Sequence, residues 1–201
     1  MMYRIEKVLN HNTVMAIHQD DHKEVLIMGK GVGFGRKVAE RIEVRPEDRL
    51  YSLQKYKERG GAKEIVKSIA PEFLEVTNAV LDEAEKIFGK IDRMVLFPLA
   101  DHIAFAVKRI QNHEQISNPL TEDIRLLFHM EYKVAACIIP ILQKKYRISI
   151  GDDEVGYIAL HVHSAIDNEN VSDAIQIARA VRACVQIVEE AMDKKIDVLS
   201  L

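Results

Sequence analysis

The chain is poor in the residues that most often announce a chemistry. It has no tryptophan, two cysteines, five prolines and nine glycines in 201 residues. Cys137 and Cys184, both in apolar helical surroundings, cannot staple a disulfide scaffold. They suit a reduced, cytoplasmic protein, with a single bridge between them left open. There is no secretory h-region and no run of about eighteen apolar residues, so neither export nor membrane insertion is expected. Gly-x-Ser-x-Gly, the turn that presents a serine nucleophile, is absent. A formal net charge of -3 rules out a polycation. Positive charge is only local. Residues 1–56 carry ten Lys/Arg against eight Asp/Glu, and Lys30, Arg36, Lys37 and Arg41 face Glu40 alone within a dozen residues. A polyanion partner would have to meet that segment.

Four of the nine glycines stand there, in Met28-Gly-Lys-Gly-Val-Gly-Phe-Gly-Arg-Lys37. A dinucleotide fingerprint needs Gly-x-Gly-x-x-Gly at a helix start. Counted from Gly29 the third glycine position holds Phe34, and counted from Gly31 it holds Arg36. The phosphate loop Gly-x-x-x-x-Gly-Lys-Ser/Thr is also missing, and Pro46 leaves no room for the helix that either motif requires. What remains is an exposed β surface with bare backbone, cationic side chains and one aromatic face. RNA recognition uses this combination. The same composition also suits a glycine-rich hairpin whose charges are merely solvated.

Residues 1–56 read as about four short strands. They are Tyr3–Leu9, Thr13–Ile17, Glu24–Met28 and Arg41–Val44, with turns at Asn10-His11-Asn12 and Asp20–Lys23. So small a β unit buries little core, and a second copy of itself is the simplest partner. Gln54–Gly61 is polar, ends in two glycines and reads as a linker. Beyond it the apolar period becomes helical. Phe73, Val76, Val80, Ala84 and Ile87 form one stripe, ended by Gly89. Leu99, Ile103, Ala106 and Ile110 form another. Ile124 to Leu142 reads as one long helix that Pro140 kinks or breaks. Val155, Ile158, Val162 and Ala165 follow an Asp152 cap, and Val171–Met192 closes the series. Four or five amphipathic helices imply a bundle. Gly89-Lys-Ile-Asp92 aligns with Lys194-Lys-Ile-Asp197 at an offset of 105 residues, so a second bundle is expected to begin near residue 172.

Asn10 and Asn12 flank a turn that can lie beside the glycine stretch, where amides can read base edges. Plain turn asparagines fit the spacing as well. His102 lines up with Phe105 and Arg109 beside an apolar helical stripe, and His161 with Tyr157 and Ser164. Both histidines are expected half-exposed at a packing surface, where a change of charge is felt. Half-buried structural histidines occupy such positions too. His161 and His163 are two apart on a helix and diverge, so they do not make a metal pair. No metal, cofactor or catalytic acid is expected, and no enzymatic activity.

Ile5-Glu-Lys-Val-Leu-Asn-His-Asn12 together with Val25-Leu-Ile-Met-Gly-Lys-Gly-Val-Gly-Phe34 resembles the co-antiterminator RNA-binding domain of bacterial sugar-operon transcription antiterminators. Leu99-Ala-Asp-His-Ile-Ala-Phe105, Phe128-His-Met-Glu-Tyr132 and Asp153-Glu-Val-Gly-Tyr-Ile-Ala-Leu-His161 resemble that family's phosphotransferase-system regulation domain. The likeness spans nearly the whole chain in the family's order, and the glycine motif is most similar to the glucose-operon branch.

The resemblance implies an α+β multidomain chain, a small all-β dimeric RNA-binding domain followed by an all-α helical-bundle regulation domain. The expected division is an RNA-binding domain over 1–56, a linker over 57–66 and a first regulation domain over 67–170. Residues 171–201 are then a linker and the start of a second regulation domain that is cut short. It implies binding of an antiterminator RNA hairpin that competes with a terminator. Asn10, Asn12, Gly29, Lys30, Gly31 and Phe34 are the implied RNA contacts, with Lys7 and Arg36 added from charge and position. His102 and His161 are the implied phosphorylation sites, served by the sugar permease and phosphocarrier proteins of the phosphotransferase system. A homodimer is expected, and no DNA partner. The alternative is a phosphotransferase-regulated DNA-binding activator, which needs a helix-turn-helix where residues 1–50 read as strands.

Overall fold

A computed structural model describes residues 1–54, 61–114, 116–167 and 170–194. The chain divides into two compact units, one of Met1–Glu75 with Leu96–Asp101, the other of Val76–Val95 with His102–Leu201. The fold is α+β.

Unit 1 is built on a five-stranded antiparallel sheet of order β4-β1-β2-β3-β5. The strands are β1 (Met2–Asn10), β2 (Thr13–His18), β3 (Glu24–Met28), β4 (Arg41–Glu43) and β5 (Arg49–Ser52). Four were expected, and β5 is the one missed. Its apolar residues Leu50 and Tyr51 are adjacent, the first exposed and the second buried, so it carries no alternation. Tyr3 and Ile5 alternate inward along β1 and join Val14, Ala16, Val25, Ile27, Val32 and Ile42 in one cluster. The register then shifts between Ile5 and Lys7. An extra residue in one strand re-aims those that follow. Val8 rather than Lys7 therefore packs on the cluster, and Lys7 is left exposed.

β2 and β3 are buried on both sides, since Met15, Leu26 and Met28 are as enclosed as Val14 and Ile27. That is why they read as apolar runs rather than as alternation. On β5, Tyr51 meets Phe97 edge to face at 6.1 Å, a favoured aromatic geometry. The linker expected over 57–66 begins outside the described residues, and its second half is helical. Gly61–Ser68 forms α1, which buries Ala62, Ile65 and Val66. Lys63 of α1 pairs with Glu24 of β3.

Helix α2 is Pro71–Phe88 and α3 is Leu96–Gln111, preceded by a 3-10 turn at Arg93–Val95. Within unit 2 the expected long helix is three short ones, α4 (Thr121–Leu127), α5 (His129–Ala135) and α6 (Ile138–Tyr146). The breaks fall at Phe128 and at Ala136–Cys137, not at Pro140. Pro140 sits in the first turn of α6, where its missing N–H is not needed. The apolar period survived both breaks because each short helix turns its buried side to the same core. Ile124, Phe128, Val134, Ala135, Ile138 and Leu142 are all buried.

Helix α7 (Asp152–Asp167) buries Val155, Ile158, Val162 and Ala165 as its period predicts. Asp152 is its first residue rather than its cap. α7 packs against α4, α5 and α8 (Val171–Met192). Residues 195–197, on which the partial repeat relies, lie outside the described residues.

Candidate functional site

The tip of the β1–β2 hairpin is a two-residue turn, His11-Asn12. The Asn10 side-chain oxygen accepts the Asn12 N–H at 2.8 Å, a local loop that asparagine forms readily. The Asn12 side-chain oxygen reaches across to accept the Gly31 N–H at 2.8 Å. Gly29 N–H donates to Asn12 O, and Gly33 N–H donates to His11 O, each at 2.9 Å. The hairpin tip and the glycine stretch therefore form one body, and Asn10 and Asn12 do lie beside it.

The stretch itself is not strand. Val32, Phe34 and Arg36 donate to the carbonyls of Gly29, Gly31 and Gly33, so it is a run of consecutive turns hung from β3. Its glycines serve the protein's own packing first. A Cβ on Gly33 would stand 2.2 Å from the Asn10 carbonyl oxygen, and one on Gly29 would stand 1.8 Å from Asp48 Oδ1. Gly31 takes a φ of 72°, with open space beside it. Bare backbone for a ligand is thus a reading that fits Gly31 and does not fit Gly29 or Gly33. Gly29 and Gly31 each have both backbone groups engaged within the protein, so the open space beside Gly31 is what sets it apart.

Two residues that composition did not mark, Arg45 and Asp48, hold this arrangement. Asp48 is buried and accepts from Arg45 N and Nε, while Arg45 Nη2 bridges Asp48 Oδ1 at 2.7 Å and the Lys30 carbonyl at 2.9 Å. Burial works to raise the Asp48 pKa, yet the Arg45 hydrogen bonds hold it below the ordinary carboxylate value. Only the Asp48–Arg45 spacing of three could have suggested the pair. Phe34 is 68% exposed and rests edge-on against His11 at 5.2 Å. Lys7, Lys30 and Arg36 are exposed as well, with Arg36 3.7 Å from Glu40. The surface thus presents one free aromatic face, several cations and a rigid backbone turn.

In unit 2, α3 carries His102 and α7 carries His161, and their rings lie 5.5 Å apart. The sequence placed them on separate flanking lines, and the fold brings them together. Tyr157 stands 5.8 Å from His102. Below them is Glu154, 5% exposed, whose Oε2 is 3.2 Å from His102 Nε2 and whose Oε1 accepts from Arg109 Nη2. Burial pushes the Glu154 pKa up, and His102 and Arg109 pull it below its ordinary value. The carboxylate stays ionised because two partners replace its water. Arg109 also lies 4.7 Å over the exposed Phe105 ring. Burial drives the His161 pKa down to about 3, helped by His102, so its imidazole is neutral at physiological pH. Its Nδ1 is enclosed without a hydrogen-bond partner. A neutral imidazole has a lone pair for an electrophile such as phosphorus. His163 points away, to Glu131 at 3.1 Å and Asp167 at 3.3 Å. No group of three or more potential ligands converges on a metal position among the described residues. No single described helix is long and apolar enough to cross a membrane.

Family comparison fits both units. A model described as the CAT RNA binding domain matches residues 3–60, and one described as the PRD domain matches residues 75–165. The GlcA/glcB genes antiterminator of Staphylococcus carnosus (strain TM300) is 30% identical over 203 residues, covering 99% of this chain and 70% of that relative. The PtsGHI operon antiterminator of Bacillus subtilis (strain 168) is 30% identical over 196 residues, covering 97% and 69%. The crystal structure of GlcT CAT-PRDI superposes with a TM-score of 0.70 at 29% identity, over 83% of this chain and 99% of that one.

Proposed function

Because this chain belongs to the antiterminator family that joins a CAT RNA-binding domain to a PRD domain, we propose that it binds an RNA hairpin in a sugar-utilisation operon. Binding there would prevent a competing terminator from forming. The contact surface in this reading is the fused hairpin tip and glycine turns. Phe34 stacks on a loop base, Lys30, Lys7 and Arg36 meet phosphates, and the Asn10 and Asn12 amides and the Gly31 backbone approach base or backbone edges. Gly29 belongs to this surface as a packing residue. The observation that carries the reading is the exposed Phe34 ring, presented by a turn that Asn12 locks to the hairpin. Exposed aromatics with neighbouring cations are the groups on which unpaired bases stack. The reading includes a homodimer of unit 1.

His102 and His161 are the positions we assign to phosphorylation by proteins of the phosphotransferase system. A ring nitrogen lone pair forms the N–P bond as the bond between phosphorus and its donor breaks. The new dianionic group then stands beside Glu154 and Arg109, where repulsion from one and attraction to the other rearrange the cluster. A DNA-binding reading has less support, because residues 1–54 hold strands and no helix.

The test is a titration of an antiterminator-type RNA hairpin and its single-base loop variants at several salt concentrations. Discrimination among loop variants supports the reading. Binding that depends on salt but not on the loop shows phosphate contact alone and overturns it.

A further inference from the structure

The two asparagines assigned to RNA already hold an acceptor. Asn10 Nδ2 donates to Glu75 Oε1 at 2.9 Å, and Asn12 Nδ2 donates to the same oxygen at 3.2 Å. Glu75 belongs to unit 1 and is the fifth residue of α2. The orientation of both amides is dictated by their other ends. The Asn10 and Asn12 side-chain oxygens each accept a backbone N–H, from Asn12 and Gly31, at 2.8 Å. An N–H needs an oxygen opposite it, so in both residues the NH2 group must face the other way. The hairpin and the glycine turn thus aim two amide donors at one point, and that point takes one oxygen.

An RNA acceptor, whether a phosphate oxygen or a base carbonyl, makes the same two contacts. We propose that the Glu75 carboxylate is an internal stand-in for that acceptor, held by Asn10 and Asn12 until RNA displaces it. This rests on the RNA-binding reading above and adds to it a named subsite and a built-in competitor. Because Asn12 also fixes the Gly31 turn, the subsite is preorganised and free of reorganisation when the acceptors exchange. The carboxylate opposes RNA twice. It engages the donors, and its charge repels phosphate.

The test compares hairpin affinity for the full chain and the variants Glu75→Ala, Glu75→Gln and Glu72→Ala. Side-chain amide NMR signals of Asn10 and Asn12 are recorded on the free proteins. Glu75→Ala is expected to bind RNA roughly tenfold more tightly, the effect of about 1.4 kcal/mol, and to shift both asparagine NH2 signals. Glu75→Gln keeps an acceptor oxygen without charge and gains less. Glu72→Ala removes an equal charge from the same helix turn and gains nothing. The Glu75→Ala gain disappears when Asn10→Ala is added. A gain equal on all loop variants assigns the acceptor to phosphate, and a gain lost with one base assigns it to that base. If wild type binds the hairpin and Glu75→Ala binds it no better, the stand-in is refuted while the RNA-binding reading survives. An equal gain from Glu72→Ala reduces the effect to bulk charge and also refutes it. If no variant binds a hairpin, the RNA-binding reading falls and takes this inference with it.

Discussion

Glu154 Oε2 lies 3.2 Å from His102 Nε2, at the base of the histidine cluster, and its other oxygen is held by Arg109. One buried carboxylate therefore holds Arg109 by a hydrogen bond and stands at ion-pair distance from the ring of a phosphorylation candidate, with neither Oε2 nor Nε2 hydrogen-bonded. Glu154→Ala leaves Arg109 uncompensated in a half-buried site and is expected to cost about 3 kcal/mol. Glu154→Gln also leaves the Arg109 charge unpaired but keeps an acceptor oxygen for it, and costs less, about 2 kcal/mol. Urea unfolding of the two variants checks the order.

His161 makes stability depend on pH. Its folded pKa is about 3, against roughly 6.5 for a free histidine. Between those values the unfolded chain binds a proton that the folded chain refuses, so stability falls as pH is lowered from about 6.5. The slope from this group approaches about 1.4 kcal/mol per pH unit at most. Glu154 adds to the loss at lower pH, since its lowered pKa means that its stabilisation fades as the carboxylate is protonated. His161→Gln is expected to flatten the profile between about pH 4.5 and 6.5, and an unchanged profile would exclude His161 as its source.

Gly33→Ala is expected to destabilise unit 1 by about 1–3 kcal/mol, because the added methyl meets the Asn10 carbonyl, a backbone atom that cannot swing aside. Gly31→Ala meets no such atom and carries only the strain of a positive φ. Thermal denaturation of the two variants checks that Gly33 is the costlier site.

Phe34→Ala and Lys30→Ala are expected to weaken hairpin binding with little effect on stability, since both side chains are exposed. Loss of one base stack corresponds to roughly 1–3 kcal/mol of affinity. Lys30→Ala should also lower the salt slope by about one. Wild-type affinity in both variants would remove this face from the RNA surface.

Phosphotransfer is expected to leave acid-labile phosphate on the protein, lost when His102 and His161 are both changed to alanine. Labelling that persists in the double variant would move the site elsewhere, with His163 the next histidine to examine.

Some of this was open to reading along the chain because it depends on neighbours in sequence. Strand alternation at Tyr3 and Ile5, the helical stripes through Val80 and Ile158, and the failure of the glycines to match a nucleotide loop are all local patterns. The three-helix path from Thr121 to Tyr146 was not readable. Apolar period alone is blind to short breaks that keep the same buried side. β5 escaped because its two apolar residues are adjacent, Leu50 exposed and Tyr51 buried, and show no period-two alternation.

The sequence by itself determined the two classes of element, their order, and the chemistry available: cations and an aromatic at the glycine stretch, histidines on two helices. Tertiary structure alone decided which of these meet. Residues 59 apart bring His102 and His161 to 5.5 Å, and residues 65 apart bring Asn10 to Glu75. It also decided what the glycines are for, by setting Asp48 and the Asn10 carbonyl where side chains would stand. Propensity and periodicity act over one or two turns of chain. The pairing of a buried carboxylate with its cations, or of two amides with one oxygen, is settled by desolvation and hydrogen-bond geometry across the fold, and that has no local signature.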